Sequence, residues 1–233
     1  MKAILMAAGL GTRLLPVTAE IPKCMVPIKG VPLLGWWLRK LQKAGIKEVI
    51  INLHHLKDVV IEYVNSQEWG LSIQFLYEET LLGSQGTLDA CRPYLQSEAS
   101  FLVIYADNVT DIDLELLMER HQSCSSIGTM ALFRSENPQM CGIVSLDADQ
   151  MIAAFEEKPS DPQSDLANAG IYLFNADVWA YVRADKQPSD IGHDLLPRLV
   201  GRMGSFCIEG FFMDIGTPES LNKANRSWSY DYQ

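Results

Sequence analysis

The chain has 233 residues, 48% of them hydrophobic, and carries 19 Lys+Arg against 29 Asp+Glu, a formal net charge of −10. That length allows one large or two small domains, and the apolar fraction excludes a disordered chain. The acidic balance argues against nucleic acid or anionic lipid as a bulk partner, while a local basic cluster or a bound metal can still serve a small anion. In chain order, Ala3–Ala7 is a short apolar run that stops at glycine and predicts a buried strand. Leu33–Ala44 reads as an amphipathic helix ending at Gly45, Glu48–Leu53 as a strand, Lys57–Ser66 as a helix and Leu71–Tyr77 as a strand. Gln85–Leu95 is predicted helical, Phe101–Tyr105 a buried strand, Asp113–His121 a helix and Ile127–Phe133 a strand. Gly142–Asp147 and Met151–Phe155 read as a hairpin around Ala148-Asp149, followed by strand Ala169–Phe174 and a short helix Asp177–Arg183. Ser205–Ile208 and Phe211–Asp214 read as closing strands, and Thr217–Trp228 as a last helix with a short tail behind it. Strands alternating with helices predict a Rossmann-like α/β fold, a mixed but mostly parallel sheet with helices on both faces.

No apolar run approaches the roughly 18–20 residues of a membrane span. Cys24, Cys91, Cys124, Cys141 and Cys207 are scattered, with no C-x-x-C pair, which predicts a reduced, cytoplasmic protein. The N-terminus has one basic residue and a very short apolar stretch, which fits a buried first strand better than a signal peptide.

Gly9-Leu10-Gly11-Thr12-Arg13 follows the first strand. Glycines there let backbone N–H groups approach a phosphate, and a tight strand-to-helix turn would use them equally well. A dinucleotide fold wants a third glycine, where this chain has Leu14, and an acid after the second strand, where it has Asn52-Leu53-His54. No G-K-[ST] follows, so a P-loop is excluded. Arg13 and Lys23 bracket a stretch stiffened by Pro16 and Pro22, which could hold a polyphosphate.

Met6–Thr18 (MAAGLGTRLLPVT), then Pro22-Lys23, then Met25–Ile28 (MVPI), resembles the signature of the sugar-1-phosphate nucleotidyltransferases. The likeness is closest to the short, single-domain form of mannose-1-phosphate guanylyltransferase-type members. The family has proline where this chain has Cys24. Further segments are similar to family motifs: Leu82–Leu88 (LGSQGTL), Tyr105-Ala106-Asp107-Asn108, Phe155–Pro159 (FEEKP), Asn168–Tyr172 (NAGIY) and Met213–Pro218 (MDIGTP). The resemblance implies a GT-A-like fold and one catalytic domain over 1–233. Its nucleotide-binding half would span about 1–110 and its sugar-phosphate half about 111–233, with no C-terminal β-helix.

The resemblance also implies a reaction. A sugar 1-phosphate oxygen attacks the α-phosphorus of a nucleoside triphosphate and pyrophosphate leaves. The nucleophile is already ionised, so positioning, cations and metal carry the catalysis. Asp107 and Asp214, each at a predicted strand end, would form a hard oxygen site for Mg²⁺; the plainer alternative makes each a turn or helix cap. Arg13 and Lys23 would contact the triphosphate, with Ala8, Gly9, Gly11 and Thr12 lining the nucleotide. Lys158 would bind the sugar phosphate. Glu157 and Asn168 would take sugar hydroxyls, with Gly142 and Gly170 giving backbone access. His193 and Asp194 fall where the family also places an acid.

The family's base reader lies five positions before the glycine that is Gly83 here, at Glu78. Guanine presents adjacent N–H donors that suit a carboxylate, so GTP is favoured, with Gly83 and Ala8 as backbone contacts. The sugar is mannose 1-phosphate or a heptose 1-phosphate. Alternatives of the same fold are a UTP-dependent uridylyltransferase, a phosphocholine-type cytidylyltransferase and a non-catalytic nucleotide-sugar-binding regulator. No nucleic-acid or membrane partner is expected, and a homodimer is compatible. In so acidic a chain, substrate binding should depend on Mg²⁺ and on Arg13, Lys23 and Lys158.

Overall fold

A computed structural model describes residues 1–183 and 185–229; the tail expected behind the last helix lies largely outside them. The elements, in order, are β1 (Lys2–Met6), β2 (Pro27–Ile28), β3 (Val31–Pro32), α1 (Leu33–Lys43), β4 (Glu48–Leu53), α2 (Lys57–Asn65) and β5 (Ser72–Tyr77). Then come α3 (Ser84–Ala90), α4 (Arg92–Leu95), β6 (Ser100–Tyr105), β7 (Asn108–Thr110), α5 (Leu114–Ser123) and β8 (Gly128–Arg134). Last are β9 (Gly142–Leu146), β10 (Ile152–Glu157), β11 (Leu166–Asn175), α6 (Leu196–Leu199), β12 (Met203–Cys207), β13 (Phe212–Asp214) and α7 (Pro218–Ser227). The fold is the expected mixed α/β class. Its chain divides into two compact units built from interleaved segments. The first comprises Ala3–Leu81, Tyr105–Leu114 and the residues from Gly210 on, and the second Met1–Lys2, Leu82–Ile104 and Glu115–Glu209.

In the first unit β4 lies beside β1 and pairs in parallel with β5, from Glu48↔Ser72 to Leu53↔Tyr77. Val49, Ile50, Ile51 and Leu53 are all buried, the near-continuous apolar run of a covered parallel strand. Helix α1 buries Leu33, Leu34, Trp37, Leu38 and Leu41, spaced on one helical face. Each such side chain contributes about 1.5–3 kcal/mol of transfer free energy. The helix ends as predicted: Gly45 takes φ +76° and donates to the Gln42 carbonyl, while Ile46 donates to that of Leu41. This satisfies carbonyls the helix would leave open, and a left-handed residue there favours glycine. A small antiparallel ladder joins β7 to β13, with Asp214 opposite Asn108. The Trp37 indole N–H ties α1 to that ladder by donating to the Asn108 carbonyl at 3.0 Å.

The second unit is organised by β11, which pairs antiparallel with β6, β8 and β9; β10 extends β9, and β12 runs parallel to β8. Its register against β8 breaks between Asn168 and Tyr172. Fully buried Phe101, Tyr172 and Phe174 form its core, the last two stacked at 5.5 Å. The predicted hairpin is present: Asp147 Oδ1 accepts from the N–H groups of Asp149 and Met151 and so fixes the turn.

Three expectations change. The helix over Gln85–Leu95 breaks into α3 and α4, because Pro93 has no N–H to continue the ladder. The helix over Asp177–Arg183 is a five-residue 3₁₀ turn, Ala176–Ala180. The stretch stiffened by Pro16 and Pro22, expected as one rigid loop, is three 3₁₀ turns, Thr12–Leu14, Val17–Ala19 and Lys23–Met25. Among the described residues no helix is long and apolar enough to cross a membrane.

Candidate active site

Gly11 opens the first 3₁₀ turn in the left-handed region, φ +64°, and a Cβ there would sit 2.8 Å from Thr18 Cγ2 and 3.2 Å from Lys23 Cβ. Glycine is therefore needed for conformation and for closeness together. The Thr18 hydroxyl donates to the Gly11 carbonyl at 2.8 Å and folds the loop back on itself. That folding brings Lys23, which opens the last 3₁₀ turn, beneath the glycine turn with only 7% of its surface exposed.

The Lys23 ammonium lies 2.6 Å from Asp107 Oδ2 and 3.1 Å from Asp214 Oδ1, and Arg13 approaches Asp214 Oδ2 at 3.9 Å. Four residues far apart in sequence, expected to act together, do meet within one unit. Burial alone would push the Lys23 pKa down; the two carboxylates outweigh it and hold the pKa above its ordinary value. The carboxylates are placed by backbone. Asp214 ends β13 opposite Asn108, and the Ile215 N–H donates to the Asp107 carbonyl at 3.2 Å. The capping alternative for Asp214 is excluded, because Thr217 caps α7 and forms a reciprocal capping box with Ser220. Cys24 is fully buried, and burial pushes its thiol up to about 12, so it is an inert packing residue.

Two half-exposed carboxylates are hard oxygen donors of the kind Mg²⁺ prefers. Among the described residues no three acidic, His or Cys groups gather as a self-sufficient metal cage, so substrate oxygens and water would complete any shell. Charge counting leads the same way. Lys23, Arg13, Asp107 and Asp214 sum to zero, which leaves nothing to offset a triphosphate.

Glu78 follows β5 and is 3% exposed. Its Oε1 accepts from Asn52 Nδ2 at 2.8 Å, and Asn52 Oδ1 accepts from the Ala7 N–H at 2.6 Å. Ala8, Gly9 and Thr12 lie along the glycine loop, as the sequence placed them.

In the second unit Glu157 and Lys158 end the β10 edge of the hairpin, their charged groups 3.8 Å apart. Lys158 takes φ +50°, its N–H donating to the Cys141 carbonyl at 2.9 Å. A Cβ on Gly142 would sit 2.7 Å from Glu157 Oε2, and one on Gly192 2.9 Å from the same oxygen. Both glycines make room for that carboxylate. Burial raises the Glu157 pKa above the usual carboxylate value; Lys158 and His193 pull it back, and Asp190 adds to the rise. Asn168 accepts from the Gly170 N–H at 2.9 Å and donates to the Tyr172 hydroxyl at 2.6 Å, so its amide stays within the β11 bulge. No hydrogen bond or ion pair among the described residues joins Asn168 to Glu157 or Lys158.

Gly83 takes φ +76°, and a Cβ there would run into the Ser189 backbone, which the Leu82 carbonyl and the Gln85 N–H grip on either side. Sequence reasoning missed Asp190. Its carboxylate caps the turn Ile191–Leu195 by accepting from the Gly192 and His193 N–H groups, and accepts from the Ser84 hydroxyl at 2.7 Å. An acid directly after Pro188-Ser189 was the available cap signal. Asp194, noted in the sequence, pairs with Lys186 at 2.7 Å, which holds its pKa below the usual range.

The Nucleotidyl transferase family model matches residues 2–229. A mannose-1-phosphate guanylyltransferase catalytic subunit beta from Xenopus tropicalis is 31% identical over 227 residues, 95% of this chain and 62% of that protein. A mannose-1-phosphate guanyltransferase from Candida albicans is 29% identical over 228 residues, again 95% of this chain and 62% of that protein. The chain thus spans about 62% of the length of these curated relatives. Among solved structures, a Bacillus anthracis protein assigned as a glucose-1-phosphate thymidylyltransferase, in complex with sucrose, superposes with TM-score 0.87 at 27% identity, covering 100% of this chain and 98% of that one. HddC from Yersinia pseudotuberculosis, solved with GMP-PN, superposes with TM-score 0.80 at 26% identity, covering 97% of this chain and 98% of that one. With the family signature matched from residue 2 to residue 229 on a fold shared with these structures, the chain belongs to the nucleotidyl transferase family.

Proposed function

We propose that this protein transfers a guanylyl group from GTP to a sugar 1-phosphate, mannose 1-phosphate or a heptose 1-phosphate, with release of pyrophosphate. The observation that carries the reading is the buried Lys23 ammonium held between Asp107 and Asp214, with Arg13 alongside, under a glycine turn. Such a cluster has no packing purpose that an apolar set would not serve better, and it presents two cations and two hard oxygen ligands where phosphates must be gathered.

In this mechanism the glycine loop and Arg13 orient the triphosphate, and Lys23 stabilises the charge that builds on the α-phosphate oxygens. The sugar phosphate oxygen forms its bond to the α-phosphorus as the bond to the β-phosphate oxygen breaks, and pyrophosphate leaves with that electron pair. No general base is needed, because the attacking oxygen carries no proton at neutral pH. Asp107 and Asp214 would hold Mg²⁺, which supplies neutralising charge and Lewis acidity to phosphate oxygens. Glu157 would accept sugar hydroxyls, with Gly142 and Gly170 admitting backbone contacts, and Lys158 would hold the sugar phosphate. The free cysteines support work in a reducing compartment such as the cytoplasm.

Support for guanine comes from Glu78, a carboxylate suited to adjacent N–H donors, from the names of the curated relatives, and from the GMP-PN held by HddC. A thymidylyl or uridylyl reading draws on the Bacillus anthracis neighbour. Pyrophosphate release across GTP, UTP, dTTP, CTP and ATP, with a panel of sugar 1-phosphates and Mg²⁺, separates them. Guanylyl transfer requires a strong preference for GTP; preference for a pyrimidine triphosphate sinks it.

A further inference from the structure

Asn52 is the penultimate residue of β4, within a run where Val49, Ile50, Ile51 and Leu53 are all buried. An amide buried to 4% exposure in such a run costs free energy unless its polar atoms are matched. Here they are matched at both ends: Oδ1 accepts from the Ala7 N–H at 2.6 Å and Nδ2 donates to Glu78 Oε1 at 2.8 Å. Glu78 is held along its backbone as well, its N–H donating to the Leu53 carbonyl and its own carbonyl facing His54 Nδ1, each at 2.8 Å. One amide therefore bridges the end of β1, where the glycine loop begins, and the carboxylate after β5. Only an amide has an acceptor and a donor at that separation; an aspartate cannot donate to Glu78, and a leucine does neither.

We propose that Asn52 is the positioning residue of base selection. It fixes the Glu78 carboxylate before the nucleotide arrives and locks it to the start of the phosphate loop, so that base and phosphates are read from one rigid frame. The inference rests on Glu78 as the guanine reader. A carboxylate held in one rotamer loses no freedom on binding, and an aligned charge-assisted hydrogen bond discriminates more sharply than a mobile one.

The test is calorimetric titration of the whole chain with GTP and with UTP in MgCl₂, for wild type, Asn52→Ala, Asn52→Asp, Glu78→Gln and the exchange variant Asn52→Asp/Glu78→Gln, each with its melting temperature. Asn52→Ala should weaken GTP binding about 10- to 100-fold, one to two factors of ten at about 1.4 kcal/mol each, and move UTP far less. A merely structural amide would weaken both nucleotides equally. The exchange variant keeps a donor, an acceptor and one negative charge in the pair. It should melt near wild type; where Asn52→Ala does not fold, Asn52→Asp, which keeps the acceptor for the Ala7 N–H and lacks the amide donor to Glu78, should lower the GTP:UTP ratio. A folded Asn52→Ala with its GTP:UTP ratio unchanged, while Glu78→Gln collapses that ratio, refutes the positioning role and spares the base reader. A folded Asn52→Asp whose GTP:UTP ratio is unchanged also overturns the proposal. An unchanged ratio in Glu78→Gln removes the reading beneath it.

Discussion

Replacing Lys23 by methionine keeps most of the side-chain volume and removes the charge that joins Asp107 to Asp214. In the wild type the Lys23 side chain is 9% exposed and those of Asp107 and Asp214 36% and 49%, the charged groups 2.6 and 3.1 Å apart. Breaking a fully buried pair costs about 3–5 kcal/mol, but water reaches these carboxylates, so we expect about 1–2 kcal/mol. For a chain of this length that lowers the melting temperature by roughly 2–8 °C. The sign with pH follows from the raised Lys23 pKa: its stabilisation is complete below the ordinary value of 10.5 and is lost as pH rises through the raised one. Among the described residues the variant leaves Arg13, at 3.9 Å from Asp214, as the one cation paired with either carboxylate. A divalent cation should then bind the free protein more tightly than it binds wild type, where the ammonium competes for the same oxygens. At ten times its dissociation constant, Mg²⁺ would return about 1.4 kcal/mol. Thermal melts over a MgCl₂ series for wild type, Lys23→Met and Lys23→Met/Asp107→Asn read this directly. A Mg²⁺ shift in Lys23→Met no larger than in wild type, or one that survives Asp107→Asn, refutes the shared-site reasoning.

Lys40 lies on α1, 8% exposed, its ammonium donating to the Ile112 carbonyl at 3.0 Å. Burial pushes its pKa down to about 8, against the pull of Asp111 and Asp113. Between pH about 8 and 10.5 the unfolded chain binds the extra proton, so wild type should gain stability relative to Lys40→Met as pH rises through that window, by at most about 3 kcal/mol. A flat difference in melting temperature contradicts it. Gly142→Ala places a methyl against Glu157 Oε2 and the Phe155 ring; it should raise KM for the sugar 1-phosphate about tenfold, near 1.4 kcal/mol, and leave KM for GTP unmoved. Asp190→Ala removes the cap of the Ile191–Leu195 turn and the acceptor for Ser84, and should cost about 1–2 kcal/mol in chemical denaturation. A midpoint equal to wild type would show that the cap is not holding the turn.

Where one physical signal dominated, the sequence was legible. The buried runs of β4 and β6 and the amphipathic face of α1 were found to within a residue, because apolar periodicity decides such elements. The four residues of the Lys23 cluster were legible only through the ordered motifs, since nothing local to Lys23 reveals that Asp107 and Asp214 flank it. The hairpin of β2 and β3 passed unread: Lys29 and Gly30, both at positive φ, make its turn, but its strands are two residues each, too short to show alternation. Strand β7 was hidden likewise, being three residues that exist only by pairing with β13. Asn52 was read as a missing acid, while its role as a bridge depends on two contacts at 45 and 26 residues' separation.

Transfer of label from [α-³²P]GTP into a sugar nucleotide tests the central claim most directly. With a sugar 1-phosphate and Mg²⁺, labelled product should form and equal the pyrophosphate released. Excess chelator should abolish it, and Asp214→Asn should lower kcat by at least about 100-fold without unfolding the chain. Undiminished labelling in chelator or in Asp214→Asn, or no labelled product with any sugar 1-phosphate, would contradict guanylyl transfer at the Lys23–Asp107–Asp214 cluster.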